Sequence, residues 1–377
     1  MEKKIKSFIT SRIEKGYFSG SQVGVSYRGE TICDLALGSR NFVPGENSGQ
    51  VDGETMFNLE SITKVMVTLP LAFWLIQEGR LNLEDRVVDY IPAFGTSEEK
   101  KKVTVRDMLN FTGGIPLEDP PGAEEAALKG DLDKAWELHF SQGLTCSPGS
   151  RVFYSDVSCR IFGRLLETIL GTDLGTAAKD LFFEPLGMKN TTFKPVSSEK
   201  CVSTGRSEKG RDLRGELTQD LEHYMGEVLG SDGIFSTASD MMLFSRMLLN
   251  GGILNGKRVL GDITVEKMIG EISNLDTFED PGSYLHYILS GPKAWFWEYG
   301  SSPWSFFGDL VSEKAVGKMG GAGTFLLVDP AYDLVIAYLT NYGQPEKTLA
   351  GDSGWNKFQS EINMMGLCNL VIGNLPC

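Results

Sequence analysis

The chain opens with a helical pattern and then changes to a strand pattern. Residues 1–16 place apolar side chains three and four positions apart, and Gly16 is a natural residue to end that helix. Two β-leaning runs follow at 22–27 and 31–37, separated by Arg28-Gly29-Glu30, whose glycine suits a tight turn. The pattern predicts an amphipathic helix followed by a β-hairpin.

Helical and strand patterns then alternate once more along the chain. Residues 61–78 are apolar almost all round and stop at Gly79, which is typical of a helix buried inside a protein. Residues 81–227 are mostly helical in pattern and are broken by Pro/Gly loops. Two strand-like runs, 324–328 and 334–340, close the pattern around an Asp-Pro turn.

This order predicts an α/β (α+β) fold with one antiparallel sheet built from both termini and flanked by helices. The predicted domains are an α/β sandwich made of residues 1–80 and 228–377, and an inserted, mainly helical lobe made of residues 81–227. We expect the active cleft between them. No internal repeat or linker separates tandem domains.

The charge composition of the chain excludes some classes of binding partner. The 377 residues include 36 Lys plus Arg and 50 Asp plus Glu, which gives a formal net charge of -14. Nucleic-acid phosphates and anionic lipid would repel this charge, so we expect neither as a partner. The longest apolar run, 65–76, is too short to cross a bilayer, and no apolar signal follows the charged first residues. For the chain as given, this predicts a cytoplasmic location.

Cysteine and histidine usage disfavours two classes of site. The six cysteines lie far apart with no C-x-x-C pair, so a disulfide scaffold is not expected. The three histidines are isolated from one another, which disfavours a metal site and a Ser-His-Asp mechanism and favours structural roles; they are His139, His223 and His286. We therefore expect no metal and no cofactor.

One S-x-x-K tetrad stands out by its context. The spelling occurs at 61–64, 97–100, 197–200 and 290–293, but only Ser61 opens the most buried helix. Residues three apart share a helix face, so the Lys64 amine can reach the Ser61 hydroxyl. Burial near a helix N-terminus pushes a lysine toward its neutral form, which can activate a serine. The alternative is a helix-capping serine with an outward-pointing lysine.

The surrounding sequence resembles a known family. Residues 57–64, with the helix exit at 75–85, look like the nucleophile helix of the serine β-lactamase and penicillin-binding-protein superfamily, and within it the class C β-lactamase-like esterases. Residues 103–114 are similar to the segment of that family that ends in Thr-Ser-Gly, with Gly113 in place of the serine. The resemblance extends over residues 18–342 and includes the segment 230–242. It implies a β-lactamase/transpeptidase-like fold.

A second motif of that family lies at residues 148–156. Tyr154 matches the catalytic tyrosine of the family, and nearby ammonium groups would favour its phenolate and let it pass a proton. Asp156 stands where members commonly have Asn, and its carboxylate could hold Lys64 or Lys318 protonated, which leaves the identity of the base open. The alternative is a tyrosine packed at a turn with its hydroxyl satisfied.

The third motif, residues 317–324, resembles the K-T-G or H-x-G strand of the family. Here Lys318 can bias the tyrosine or bind an anionic group, and Gly320 and Gly321 let substrate lie against the strand. We expect an oxyanion hole from the amides of Ser61 and Gly321. Met319 replaces the usual threonine, which removes a donor that carboxylate-bearing substrates such as β-lactams would use.

The aromatic stretch 284–307 is less familiar. Rings of this kind belong to the core more often than to a pocket, and they would favour an apolar acyl or aromatic substrate if they lined the cleft. They are Trp295, Phe296, Trp297, Tyr299, Trp304, Phe306 and Phe307.

Together these features predict a serine hydrolase that acts on a small-molecule ester, amide or thioester through a Ser61 acyl-enzyme. Two alternatives stay open at this point. One is an acyltransferase that passes the acyl group to a small-molecule alcohol or amine. The other is a non-catalytic binding protein, because Gly113, Asp156 and Met319 depart from the family pattern. The sequence leaves the oligomeric state undetermined.

Overall fold

A seven-stranded antiparallel sheet forms the centre of the computed structural model, which describes residues 1–42, 49–195, 197–207, 209–226, 228–270, 291, 293–300, 307–343 and 352–376. The strand order is β2-β1-β13-β12-β11-β10-β9. These strands are β1 (Gly20–Tyr27), β2 (Glu30–Gly38), β9 (Lys293–Ala294), β10 (Trp297–Tyr299), β11 (Val316–Gly320), β12 (Thr324–Asp329) and β13 (Leu334–Thr340). The remaining short strands pair two by two and are β3 (Phe57–Asn58) with β6 (Phe235–Ser236), β4 (Ser203–Arg206) with β5 (Asp212–Arg214), and β7 (Ile253–Leu254) with β8 (Lys257–Arg258).

The sheet joins two parts of the chain that are far apart in sequence, because β1 pairs directly with β13. The first hairpin turns at Arg28 and Gly29, whose φ angles are 49° and 84° and suit a two-residue turn. The predicted N-terminal helix, hairpin and C-terminal strand pair are all present, so the predicted α/β fold with a sheet built from both ends is confirmed.

Helices cover both faces of the sheet. They are α1 (Glu2–Glu14), α2 (Leu69–Gln77), α3 (Val87–Tyr90), α4 (Val105–Leu109), α5 (Ala123–Leu128), α6 (Leu132–Ser141), α7 (Asp156–Leu170), α8 (Leu174–Ala178), α9 (Glu184–Leu186), α10 (Asp220–Tyr224), α11 (Ala238–Leu249), α12 (Asp262–Gly270), α13 (Asp352–Ile362) and α14 (Met364–Ile372). Among the described residues, no helix combines the length and the apolar character needed to cross a membrane.

Strands β12 and β13 are buried on both faces because their side chains alternate between two apolar layers. On β12, Phe325 and Leu327 pack in an outer layer with α1 and α14, whereas Leu326 and Val328 pack in an inner layer with α2, α7 and α11. The inner layer also includes apolar residues from 81–227. The helical region therefore packs onto the inner face of the sheet, while its predicted boundaries as a separate lobe stay a prediction.

Asn341 fixes the end of β13 against its neighbours. Its side-chain oxygen accepts hydrogen bonds from the amides of Ser19 and Gly20 at 3.1 and 2.9 Å. Its amide nitrogen donates to the Ser203 carbonyl and the Ser19 hydroxyl, both at 2.9 Å. One buried side chain thus joins the sheet to the β4 loop.

Candidate active site

The segment around Ser61 is helical, but its pitch changes along its length. A tight 3₁₀ turn spans Glu60–Ile62, a wide π turn spans Lys64–Thr68, and the regular helix α2 follows. Glu60 has a φ of 51°, a strained value for a residue with a side chain. Unusual turns and strain of this kind concentrate at functional sites.

Ser61 is partly exposed, and its side chain does not cap the helix. Lys64 Nζ donates to Ser61 Oγ at 2.8 Å, and Tyr154 OH lies 2.9 Å from the same oxygen. Ser61 Oγ also lies 3.3 Å from Asp232 Oδ1, to which it can donate. Lys64 is completely buried, so the alternative of a capping serine with an outward-pointing lysine is wrong.

Two carboxylates and one carbonyl surround the Lys64 ammonium. Asp156 lies 2.7 Å from Nζ and Asp232 lies 3.6 Å from it, while the Ser231 carbonyl accepts a hydrogen bond at 2.7 Å. Burial by itself lowers the pKa of Lys64, but the two carboxylates outweigh burial and hold this pKa well above its ordinary value. The expectation of a neutral lysine in the resting site is therefore wrong, and the alternative that Asp156 holds it protonated fits the geometry.

Tyr154 lies two residues before α7 and is buried against Phe111, with ring centroids 4.9 Å apart. Burial, with the Asp156 carboxylate, raises the pKa of Tyr154 well above its ordinary value. The expected bias toward a phenolate is wrong for the resting site, because the neighbouring carboxylates and burial oppose the effect of the ammonium groups. Tyr154 is present there as a phenol.

Lys318 approaches the tyrosine from β11. Its Nζ lies 4.8 Å from the Tyr154 ring centroid, over the ring face. The ammonium is held by the Glu298 carboxylate from the neighbouring strand β10. Lys318 is thus placed beside Tyr154, and its charge is paired within the sheet.

Gly320 lets β11 lie directly against the residues that precede Ser61. A Cβ at this position would come within 2.3 Å of the Leu59 carbonyl oxygen and 3.0 Å of the Glu60 Cβ. Thr324 Oγ1 also donates to the Leu59 carbonyl, at 3.1 Å. Gly321 follows in the turn after β11. The use of its amide in an oxyanion hole stays a prediction.

Three carboxylates at the site were not singled out from the sequence. Asp232 reaches Ser61 because the β3–β6 ladder and the hydrogen bond from the Leu59 amide to the Ile234 carbonyl (2.9 Å) bring the two loops together. Its segment resembles the family, but the side chain itself gave no local signal. Glu298 lies in the aromatic stretch that seemed merely apolar.

Glu60 is the third such carboxylate, and its position just before the serine was the available signal. It is buried, and it accepts hydrogen bonds from Thr218 Oγ1 at 2.5 Å and Asn58 Nδ2 at 3.3 Å. Burial, with the charge of Asp232, raises the pKa of Glu60 to about 8. A carboxyl that is mostly protonated at neutral pH therefore adjoins the nucleophile.

A buried ion pair supports the loop that carries Asp232. Arg160 Nη2 lies 2.9 Å from Glu222 Oε1, and the same oxygen accepts a hydrogen bond from Ser231 Oγ at 3.0 Å. Arg160 also pairs with Asp119, which is partly exposed. These contacts hold Ser231 in place, and its carbonyl accepts a hydrogen bond from Lys64.

The histidines lie in other environments. His139 is buried in α6, where Nδ1 meets the Ala135 carbonyl at 2.8 Å, and burial lowers its pKa to about 4. His223 contacts Glu216 at 3.0 Å. His286 lies outside the described residues, as does Ser290 of the fourth S-x-x-K tetrad.

The interpretation of the aromatic stretch as core is confirmed for four of its rings. Those that are fully buried are Trp295, Phe296, Trp297 and Phe307. Phe296 packs on Phe111 with tilted rings whose centroids are 5.1 Å apart, and so supports the ring that packs on Tyr154. Trp304 and Phe306 lie outside the described residues.

Comparisons with known proteins identify the family of the chain. The chain matches the Beta-lactamase family model over residues 5–357. It is 27% identical over 368 residues to the N-acetylmuramyl-L-alanine amidase of Bacillus subtilis (strain 168), with 90% of this chain and 80% of that protein covered.

Two solved structures share the fold. EstCE1, described as a hydrolase with promiscuous acyltransferase activity, superimposes with a TM-score of 0.71 at 19% identity and covers 96% of this chain and 97% of its own. The D-alanine carboxypeptidase AmpC from Burkholderia cenocepacia superimposes with a TM-score of 0.64 at 19% identity, covering 94% of this chain and 96% of its own.

Proposed function

The chain belongs to the beta-lactamase family, a family of serine hydrolases, and from that premise we propose that it cleaves an ester or amide bond of a small molecule through an acyl-enzyme on Ser61. The observation that carries the proposal is the set of contacts at one oxygen. Ser61 Oγ is met by Lys64 Nζ at 2.8 Å and by Tyr154 OH at 2.9 Å. This is the arrangement of a nucleophile with two proton-handling groups in reach.

The acylation step moves one proton from the serine to the leaving group. Neutral Lys64 accepts the proton of Ser61 as Oγ attacks the carbonyl carbon, and Tyr154 gives its phenolic proton to the leaving oxygen or nitrogen as that bond breaks. Lys64 then returns its proton to Tyr154. Water adds to the acyl-enzyme by the same groups in reverse and releases the acid.

The resting charge of Lys64 sets the pH dependence of this route. Because Asp156 and Asp232 raise the pKa of Lys64, the neutral form that accepts a proton is a minority at neutral pH. The rate should therefore rise with pH through the neutral range.

Backbone amides of Ser61 and Gly321 would hold the oxyanion, and the close approach of β11 to Leu59 supports this assignment.

Acyl transfer is the second candidate. An alcohol or amine would replace water in the second step, and the likeness of the fold to EstCE1, a hydrolase with promiscuous acyltransferase activity, favours this possibility. A fixed concentration of ester with increasing acceptor would distinguish the two routes. A transferase should divert the acyl group into an acceptor adduct, whereas a hydrolase should release the same yield of acid throughout.

The proposal is tested by intact-mass spectrometry and turnover with p-nitrophenyl acetate. Wild type should gain an acetyl group or turn the ester over, and Ser61→Ala should do neither. Ser97→Ala is the matched control, because Ser97 belongs to another S-x-x-K tetrad and is exposed. Equal turnover in wild type and Ser61→Ala would refute the assignment of Ser61 as the nucleophile. A wild type that shows neither adduct nor turnover would favour the non-catalytic alternative.

A further inference from the structure

The two ammonium groups beside Ser61 and Tyr154 are both engaged by carboxylates. Lys64 lies between Asp156 and Asp232, at 2.7 and 3.6 Å. Lys318 is paired with Glu298, and the side chains of this pair are 2% and 1% exposed. An incoming substrate therefore meets cations whose charge is already balanced.

A third charged residue lies beside the Lys318–Glu298 ion pair. Lys293 on β9 is completely buried and its Nζ lies 3.9 Å from Glu298 Oε1. Burial lowers the pKa of Lys293 to about 8, and this burial also keeps its ammonium out of reach of a ligand. Both lysines meet Glu298 at Oε1, and in the part of the chain that the structure describes its Oε2 accepts no hydrogen bond.

We propose that Glu298 sets the charge preference of the cleft, by keeping Lys318 engaged so that the site accepts uncharged esters or amides and discriminates against those with a carboxylate near the scissile bond. This inference rests on the proposed acyl-enzyme function of Ser61 and adds the substrate class. It assigns Lys318 to Tyr154 rather than to an anionic group of the substrate.

Three observations support this preference. A carboxylate that used Lys318 would have to break its pair with Glu298, and a buried charge without its partner is unfavourable. The same carboxylate would lie near Asp156 and Asp232, which repel it. Met319 packs in the outer apolar layer and offers no hydroxyl in compensation.

The test compares two esters that differ only in charge. 3-Acetoxybenzoate carries a carboxylate on its leaving group and 3-acetoxybenzamide is its uncharged counterpart; both transfer acetyl. Wild type should hydrolyse the amide-bearing ester with the higher kcat/KM. Glu298→Gln keeps the shape of the side chain and removes its charge, and it should raise the anionic-to-neutral ratio of kcat/KM about tenfold or more, the value of one charge-assisted hydrogen bond.

Controls separate the local effect from general ones. Glu125→Gln makes the same change of net charge at an exposed residue that pairs with Lys129, and it should leave the ratio unchanged. Should Glu298→Gln fail to fold, Lys293→Met/Glu298→Gln removes one charge of each sign and should show the same rise. An unchanged ratio in the folded variant, an equal rise in Glu125→Gln, or a wild type that prefers the anion would overturn the inference.

Binding in an inactive background makes the inference independent of turnover. Calorimetry with both esters on Ser61→Ala and on Ser61→Ala/Glu298→Gln should show the same rise in relative affinity for the anion. If wild type hydrolyses neither ester, the proposed function fails, and this affinity ratio alone decides the inference. Equal relative affinities in the two proteins would refute it.

Discussion

Replacing Asp156 by Asn tests whether Lys64 controls the rate. The substitution keeps the shape of the side chain but removes the carboxylate that lies 2.7 Å from Lys64 Nζ, the shorter of its two ion pairs. At an effective dielectric constant of about 20, unit charges roughly 3 Å apart attract by about 5 kcal/mol. Asp232 remains at 3.6 Å and keeps part of that stabilisation.

Opposite charges at such distances move titrations by about 1–3 pH units. If neutral Lys64 is the base, the acid limb of kcat/KM in Asp156→Asn should move to lower pH by that amount, and the rate at pH 7 should rise about 10-fold or more. Asp232→Asn should move the limb less, because this carboxylate is farther away. The measurement is kcat/KM for 3-acetoxybenzamide between pH 6 and pH 10 in the three proteins.

The ion pairs of Lys64 also determine how the stability of the protein changes with pH. Because the folded-state pKa of Lys64 is raised, its ion pairs stabilise the protein fully below the ordinary lysine pKa, and this contribution is lost as pH rises through the folded-state pKa. Removing Asp156 should cost a few kcal/mol at pH 7, measured by urea unfolding. A limb that stays in place in a folded Asp156→Asn protein would refute the assignment of Lys64 as the titrating base.

Three further substitutions test other parts of the structure. Because burial lowers the folded-state pKa of His139 to about 4, wild type should lose about 3 kcal/mol of stability in urea unfolding as pH falls from about 6.5 toward 4. His139→Asn should abolish this loss, and equal losses in both proteins would contradict the assignment. Gly320→Ala should lower kcat by at least 10-fold in ester turnover, since its Cβ would lie 2.3 Å from the Leu59 carbonyl, and an unaltered kcat would show that the strand can move away freely. Asn341→Ala should lower the free energy of unfolding by about 2–4 kcal/mol, because it leaves buried amides without acceptors, and a loss below 0.5 kcal/mol would mean that water replaces the side chain.

The fold was predictable because its signals are local. The apolar run at 324–328 and the β1–β2 turn at Arg28-Gly29 are recorded in neighbouring residues. The sequence also predicted that the segment around Ser61 is helical. It did not predict the change of pitch, because 3₁₀ and π turns depend on the residues that pack around them. The predicted helix over 61–78 corresponds to the helical turns from Glu60 to Gln77.

The electrostatics of the site were harder to predict because they depend on distant residues. The spacing of Ser61 and Lys64 predicted their contact, and Asp156 was recognised as a carboxylate that could hold Lys64 protonated, but Asp232 was not. Asp232 comes from a loop 171 residues beyond Ser61. Glu298 is hidden among buried aromatic residues, so that no pattern marked it as the partner of Lys318. The distant Asp232 adds to Asp156 in raising the pKa of Lys64, whereas burial alone predicted a lowered pKa.

The pairing of β1 with β13 also means that the sheet is completed late during synthesis of the chain. Tyr27 meets Leu334, so roughly 300 residues separate the two strands, and a ribosome adding about 5–20 residues per second needs about 15–60 s to join them. During that time the only sheet partner already made is β2, and the other edge of β1 can pair with another chain. Substitutions that weaken the first hairpin should therefore reduce the yield of soluble protein from cells more than they reduce the melting temperature of the finished molecule.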